Sequence, residues 1–351
     1  MSEDLAKPVT EPRTTIVVTP RERFSVARKC LEEIFEHTPD AYELIYVDAG
    51  APAEVAGWLA DQAAERGFRY IRVDHYLSPN EARNLALEHI TTDYAVFIEN
   101  DMMVAPGWLE AFVQCADETG AAIVTPLICE SEPLHQKVHF AGGSYTDDED
   151  RFFATAHGER TLQDHMRHHH KMVEDVADEL QREDVQAFES HCFLVRRDLF
   201  DKIGPFDARM IATRDHFDTS LSVREAGEKI VFEPAAVVTY LYPDSHNPLT
   251  EEDRAFFVLR WSPQWQRRSL QHFHDKWGLK VDGPVRRRLR NLGWRHDVGL
   301  VAPRVRRIPV IGRSRILVRA VRAGFAPVME AIAARAVARD DKRRRSDARL
   351  H

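Results

Sequence analysis

Residues 94–112 read YAVFIENDMMVAPGWLEAF, and the fold is decided in this stretch. Residues 94–98 are a continuous apolar run of strand length, rich in aromatic and β-branched side chains, as expected of a strand buried on both faces of a parallel sheet. The run stops at Glu99-Asn100-Asp101, and Pro106-Gly107-Trp108 then opens a helix predicted over 108–118. Ligands of open α/β sheets bind beyond the carboxyl ends of the strands, where these acids fall. Two carboxylates in three residues at the end of a buried strand cost stability unless something cationic is held there. Hard oxygen donors suit Mg²⁺ or Mn²⁺, with substrate phosphates filling the remaining positions. A polar turn ahead of a proline-started helix is the plainer explanation of the same residues.

Working outward, strand and helix patterns alternate. Thr14–Thr19 (TTIVVT) is strand-like, Phe24, Ala27, Leu31 and Ile34 recur at helical spacing, and residues 43–48 (ELIYVD) are strand-like again. A helix at 54–66, a strand at 68–74, a helix at 79–90 and a strand at 121–125 continue the series. The helix at 79 has a firm start: Ser78 as N-cap, Pro79 at the first helical position and Glu81 completing a capping box. Strands at 192–195 and 230–233 and helices near 198–203 and 218–226 complete a body ending near Leu279. The expected class is α/β, a mostly parallel central sheet flanked by helices. Within it, residues of about 158–188 carry Leu162, Met166, Val173, Val176 and Leu180 on one helical stripe, predicting a helical insertion that forms a lid or flank. His165, His168, His169 and His170 sit on that helix, where a solvated face is favoured over zinc. Asp48, in VDAG, either accepts from a base N–H or ribose hydroxyl or caps the following helix, with Gly50 turning the chain.

The 351 residues hold one large or two ordinary domains, and 44% apolar content suffices for a packed core. No run of eighteen apolar residues appears, and the first residues lack the order of a signal peptide, so the expected location is cytoplasmic. Cys30, Cys115, Cys129 and Cys192 are scattered in apolar contexts and read as buried thiols. The net charge of −8 hides a division: residues 281–351 hold 19 basic against 6 acidic side chains, and the rest holds 29 against 50. The acidic body excludes nucleic acid as a partner and suits a divalent cation bridging to an anionic substrate. The basic tail, 280–351, interleaves arginine clusters with an apolar stretch interrupted by Pro327. Partly helical or disordered, it fits adhesion to an anionic membrane surface or, equally, a solubilising or docking role.

Together the segments TTIVVTPRERF, LIYVDAG, SPNEARNLAL, YAVFIENDMMVAPGWLEAF, HCFLVRRDLFDKIGPFD and RDHFDTSLSVREAGEKIVFEPAAVV resemble, in order and near spacing, the motifs of family 2 glycosyltransferases with the GT-A fold, across residues 14–242. The resemblance implies a 13–279 catalytic domain after a flexible 1–12. It also implies a nucleotide-diphosphate sugar donor, a divalent cation and an inverting transfer to a glycan or lipid-linked acceptor. Carried over by position, Thr19, Asp48, Arg83, Asn84 and Asn100 fall in the nucleotide-sugar pocket. Asp101 and Glu99 occupy the ends of the DxD-type metal motif, with Asp101 the surer ligand. The family's catalytic base lies in a pair that here reads Asp215-His216, and Asp215 is the expected base. Glu189, His191 and Asp218 fall on the acceptor side. Tyr240 stands where a metal-binding histidine is common, and His246 is near enough to replace it. The QxxRW of processive members is not found in 264–268, so a single addition is expected. A binding protein that keeps the fold without turnover is the alternative, and nucleotidyl transfer is a weaker one, because no lysine-bearing phosphate loop follows the first strand.

Overall fold

The computed structural model describes residues 11–39, 41–145, 162, 165–244, 247–281 and 283–347. Four parallel strands, β1 (Thr14–Thr19), β2 (Glu43–Ala49), β3 (Arg69–Val73) and β4 (Tyr94–Glu99), form one half of the sheet in the order β3-β2-β1-β4. They are linked by α1 (Ala27–His37), α2 (Ala53–Arg66) and α3 (Pro79–Leu87). A short β5 (Met102–Val104), α4 (Trp108–Thr119) and β6 (Ile123–Glu130) follow. The small strands β7 (Val138–Phe140), β8 (Gly143–Ser144), β9 (His165–Met166) and β10 (Glu183–Val185) lead to β11 (Cys192–Arg196), α5 (Leu199–Ile203), α6 (Asp215–Glu225) and β12 (Ile230–Tyr240). The large sheet runs β10-β12-β6-β11-β4-β1-β2-β3, with β11 antiparallel to both β4 and β6, and β12 parallel to β6.

Alternation along the strands explains the layering. Ile16, Val18, Val96 and Ile98 face α1 and α4 through Leu31, Ile34, Trp108 and Phe112, while Val17, Ala95 and Phe97 face α3 and α5 through Ala82, Ala86 and Leu199. All six residues of β1 and all six of β4 are buried, so the sheet has no solvent face here and its polar strand ends converge on one rim. Ser78 accepts from the Glu81 backbone N–H while Glu81 accepts from that of Ser78, fixing the start of α3 as the sequence predicts. Gly50 turns at φ 76°, and a Cβ there would lie 3.2 Å from the Tyr76 ring, so both conformation and space require glycine.

The insertion differs from its reading. Among the described residues of 165–188 the only α-helical segment is one turn, Val173–Val176, and the chain otherwise runs through β9, turns and β10. Val173, Val176 and Leu180 do pack, against Leu127, Cys129, Val138 and Phe232, but from irregular backbone. His168 and His170 adopt φ 56° and 68°, which breaks any helix through the histidine run, so His165, His168 and His169 share no helical face. β12 also runs seven residues past its predicted end, because a bulge between Glu233 and Val237 absorbs Pro234.

After β12 come α7 (Glu251–Arg260), α8 (Pro263–Trp277), α9 (Gly283–Arg290) and the long α10 (Arg315–Asp347). α10 passes through Pro327 without ending, contrary to the sequence reading. The Ala323 carbonyl that loses its partner lies on an exposed face, where water can take the bond. Ala333, Ala336, Met329 and Val337 of α10 pack on Phe257, Val258, Leu259, Trp261 and Trp265, and Arg344 donates to Glu81 and to the Tyr76 carbonyl, both at 2.6 Å. The basic segment is thus docked on the body.

Candidate active site

The β1 end is built by Asn100. Its backbone N–H donates to the Thr19 carbonyl, its Oδ1 accepts from the Arg21 N–H at 3.0 Å, and its Nδ2 donates to the Arg23 carbonyl at 2.8 Å. Both ends of this amide therefore shape the loop after β1, and that loop delivers Arg21 to Glu99. Arg21 Nη1 lies 2.9 and 2.7 Å from the two Glu99 oxygens, and His191 Nδ1 lies 2.7 Å from Oε2. Burial and the nearby Arg21 hold His191 well below the usual histidine range, so it is a neutral ring donating to Glu99, stacked 4.4 Å from Tyr240.

Asp101 is the opposite case. It is fully buried, and neither carboxylate oxygen has a hydrogen-bond partner. Burial, with Glu99 and Glu22 nearby, pushes its carboxyl well above the usual range. An unpartnered buried carboxylate at a strand end is what a bound cation would satisfy. The residues therefore fit a divalent ion at Asp101, while Glu99 is engaged by Arg21 and His191. Among the described residues no three His, Cys, Asp or Glu side chains gather as a cage, so such an ion would complete its coordination from ligand oxygens. His246 lies outside the described residues.

The predicted base pair opens α6, directly after Arg214, which takes the left-handed conformation at φ 72°. Asp215 Oδ2 accepts from Arg83 Nη1 at 2.9 Å, and Arg83 also reaches Asn80 at 2.8 Å and the Ser190 carbonyl at 2.9 Å. Although burial opposes ionisation, hydrogen bonding to His216 and the Arg83 charge hold Asp215 well below the usual carboxylate range. His216 lies between acids: Nδ1 is 3.7 Å from Asp215 Oδ1 and Nε2 is 3.9 Å from Glu189 Oε2. Burial lowers its pKa, but Glu189 and Asp215 outweigh burial and raise it above the usual histidine value.

One cavity of about 250 Å³ is lined by Glu189, His191, Asp215 and His216 together with Arg21, Arg260, Trp261 and Arg295. Four of the predicted residues thus meet there, with Arg83 behind them. Asp218 is outside the lining, held by Lys276 at 2.7 Å and the Trp277 indole N–H at 2.8 Å. Asn84 pins the 206 loop, exchanging hydrogen bonds with the Phe206 backbone at 2.7 and 2.9 Å. Asp48 ends β2 with its carboxylate engaged by the Ala51 N–H, the Tyr70 hydroxyl and Arg72. Phe256 of α7 packs in one cluster with Ala51 and stacks on Tyr76 at 4.7 Å and on Phe24 at 5.6 Å. Thr19 is buried, its hydroxyl without a partner.

Sequence reasoning missed Arg21, Arg260 and Arg295. Arg21 stood inside the quoted TTIVVTPRERF, but nothing in its spacing says that it will reach Glu99. Arg260 and Arg295 come from segments beyond the motifs, and only chain folding brings them in.

The mostly parallel sheet flanked by helices is of the GT-A type. The profile of "Glycosyl transferase family 2" matches residues 14–204, more than half of the chain, and the chain belongs to that family. No curated protein matches it in sequence. Among solved structures, GalNAc-T7 with UDP, GalNAc and Mn²⁺ is similar with a TM-score of 0.51 at 13% identity, over 82% of this chain and 57% of that one. The mannosyltransferase PcManGT from Pyrobaculum calidifontis, in complex with GDP-Man and Mn²⁺, is 15% identical with a TM-score of 0.47, over 96% of this chain and 89% of that one. This chain therefore spans little more than half of the length of GalNAc-T7.

Proposed function

We propose that the chain transfers one sugar from a nucleotide-diphosphate sugar to a hydroxyl of a glycan or lipid-linked acceptor, with inversion at the anomeric carbon. The observation that carries this reading is the convergence of Glu189, Asp215 and His216 on one cavity at the strand rim of a family 2 chain. In a single displacement the acceptor oxygen attacks opposite the leaving diphosphate and needs only a base. His216 is the more open of the pair and takes that proton, while Asp215, fixed by Arg83, orients the ring and stabilises its charged form. Asp101 would hold a divalent cation, Mg²⁺ or Mn²⁺, which supplies charge neutralisation of the diphosphate. Thr19, Asp48 and Arg83 are proposed to border the donor. The test is hydrolysis of a panel of nucleotide sugars with Mn²⁺ and no acceptor, where release of one nucleoside diphosphate is expected. A fold that binds without turnover is the alternative, and binding of a nucleotide sugar with no release would select it.

The acceptor side is proposed to be met at a membrane surface. Every exposed large apolar side chain among the described residues lies between 281 and 332, including Val310, Ile316, Phe325, Val328 and Ile332. These residues alternate with arginines such as Arg315 and Arg319, the composition of a helix lying in an anionic interface. No helix among the described residues is long and apolar enough to cross a membrane. The full-length chain is expected to co-sediment with vesicles containing anionic lipid and to release as salt rises. A double Phe325→Asp, Val328→Asp change, at exposed positions three residues apart on one face of α10, should abolish co-sedimentation without altering the melting temperature. Equal binding by parent and variant would exclude this face.

A further inference from the structure

Three guanidinium groups meet around one indole. The Cζ atoms of Arg21, Arg260 and Arg295 lie 5.9, 4.8 and 4.4 Å from the Trp261 ring centroid, and all four residues line the cavity that holds His216. Arg21 has Glu99 as its partner. Glu22 lies 4.0 Å from Arg21 and takes the Trp261 N–H and the Tyr240 hydroxyl.

Neither Arg260 nor Arg295 has a carboxylate within ion-pair distance among the described residues; Asp215, Glu99 and Glu22 act on Arg260, and Glu22 on Arg295, only from farther away. Arg260 is 3% exposed, its one hydrogen bond goes to the Ala212 carbonyl, and its Nε is buried without a partner. Arg295 is half-buried among the rings of Trp261, Trp294 and Tyr242, and its Nε is likewise buried and unpartnered. Burial and the neighbouring Arg21 push Arg260 down to about 10, outweighing Asp215, Glu99 and Glu22, which raise it from beyond contact. Guanidinium groups with buried, unpartnered Nε atoms and no carboxylate in contact are costly, and a cavity wall that keeps them is set to receive an anion. Arginine forks match phosphate oxygens, and the surrounding aromatic faces hold the forks in place while excluding water.

We infer that Arg260 and Arg295 form a phosphate-ester subsite of the cavity, with Arg295 supplied by the segment between α9 and α10, beyond the family-matched residues 14–204. This rests on the transferase reading for its role, since the phosphate belongs either to the donor's diphosphate or to a phosphorylated acceptor. In either case the C-terminal segment completes the site.

The probe is inorganic pyrophosphate, titrated calorimetrically into the full chain in EDTA at fixed ionic strength. Arg295→Gln should weaken binding about tenfold, and Arg260→Lys, which keeps the charge but loses the fork, should weaken it by a smaller factor. Arg313→Gln, at an exposed position of the same basic segment, should leave it unchanged. Melting curves of each variant guard against misfolding. Pyrophosphate binding that ignores Arg295→Gln, or falls equally with Arg313→Gln, overturns the subsite. Steady-state kinetics then separate the sources: a raised donor KM assigns the subsite to the diphosphate, and a raised KM for a phosphorylated acceptor alone assigns it to the acceptor. Arg295-dependent pyrophosphate binding with no turnover of any nucleotide sugar would retain the subsite and end the transferase reading. Transfer with pyrophosphate binding unmoved by Arg295→Gln would do the reverse.

Discussion

Asp101→Asn is expected to lower the transfer rate about a thousandfold and, in metal-free buffer, to raise the melting temperature by about 2 °C. The two effects have one cause. Asp101 is buried with both oxygens unpartnered and lies near Glu99 and Glu22, so its charge opposes folding in the absence of a cation. Asparagine keeps the shape and removes the charge. Function at this position is thus maintained against stability, as is common where a site must be ready for a ligand. The measurements are single-turnover transfer at saturating Mn²⁺ and calorimetry in EDTA. Full activity in the variant, or in excess chelator, would remove this carboxylate from the chemistry. A variant that melts lower than the parent would show that Asp101 has a structural partner instead.

The sheet was legible because its signal is local. The buried runs at β1, β2 and β4 can only be strands in a two-faced sheet, and the capping box at Ser78 fixes α3 with side chains three residues apart. The insertion was misread because Leu162, Met166, Val173, Val176 and Leu180 match a helical period by sequence spacing, yet Leu162 and Met166 pack into two separate clusters and only Val173, Val176 and Leu180 share a third. Periodicity reports which side chains are apolar and cannot report that His168 and His170 take positive φ. The site was half legible for a similar reason. Asp101 and the Asp215-His216 pair follow from position in the motifs, whereas the roles of Glu99 and Asn100 depend on Arg21, which lies 78 residues from Glu99 along the chain. The arginines around Trp261 arrive from α7 and from beyond α9, and no local pattern announces such a meeting.

That division bears on the base. Position alone favours Asp215, but its ion pair with Arg83 keeps it charged and weakly basic throughout the neutral range. His216 faces Glu189 and Asp215, which raise its pKa, against burial and the Arg214 charge, which lower it. Because its folded pKa is raised, the neutral, proton-accepting ring predominates only above the usual histidine value of about 6.5. The acid limb of kcat/KM is therefore expected to fall as pH drops through a value higher than that. His216→Gln should cost roughly a hundred- to ten-thousandfold in rate and remove the limb, with pyrophosphate binding intact. Asp215→Asn should instead move the limb to lower pH, since one of the two acids that raise His216 has become neutral. It should also lower stability, because it leaves Arg83 buried with only Glu99, 3.8 Å away, as a counter-charge. Full pH–rate profiles of the two variants decide between them. If His216→Gln keeps the limb in place while Asp215→Asn abolishes transfer in a chain that melts normally, the proton goes to Asp215, and Arg83 must then release it when the donor binds.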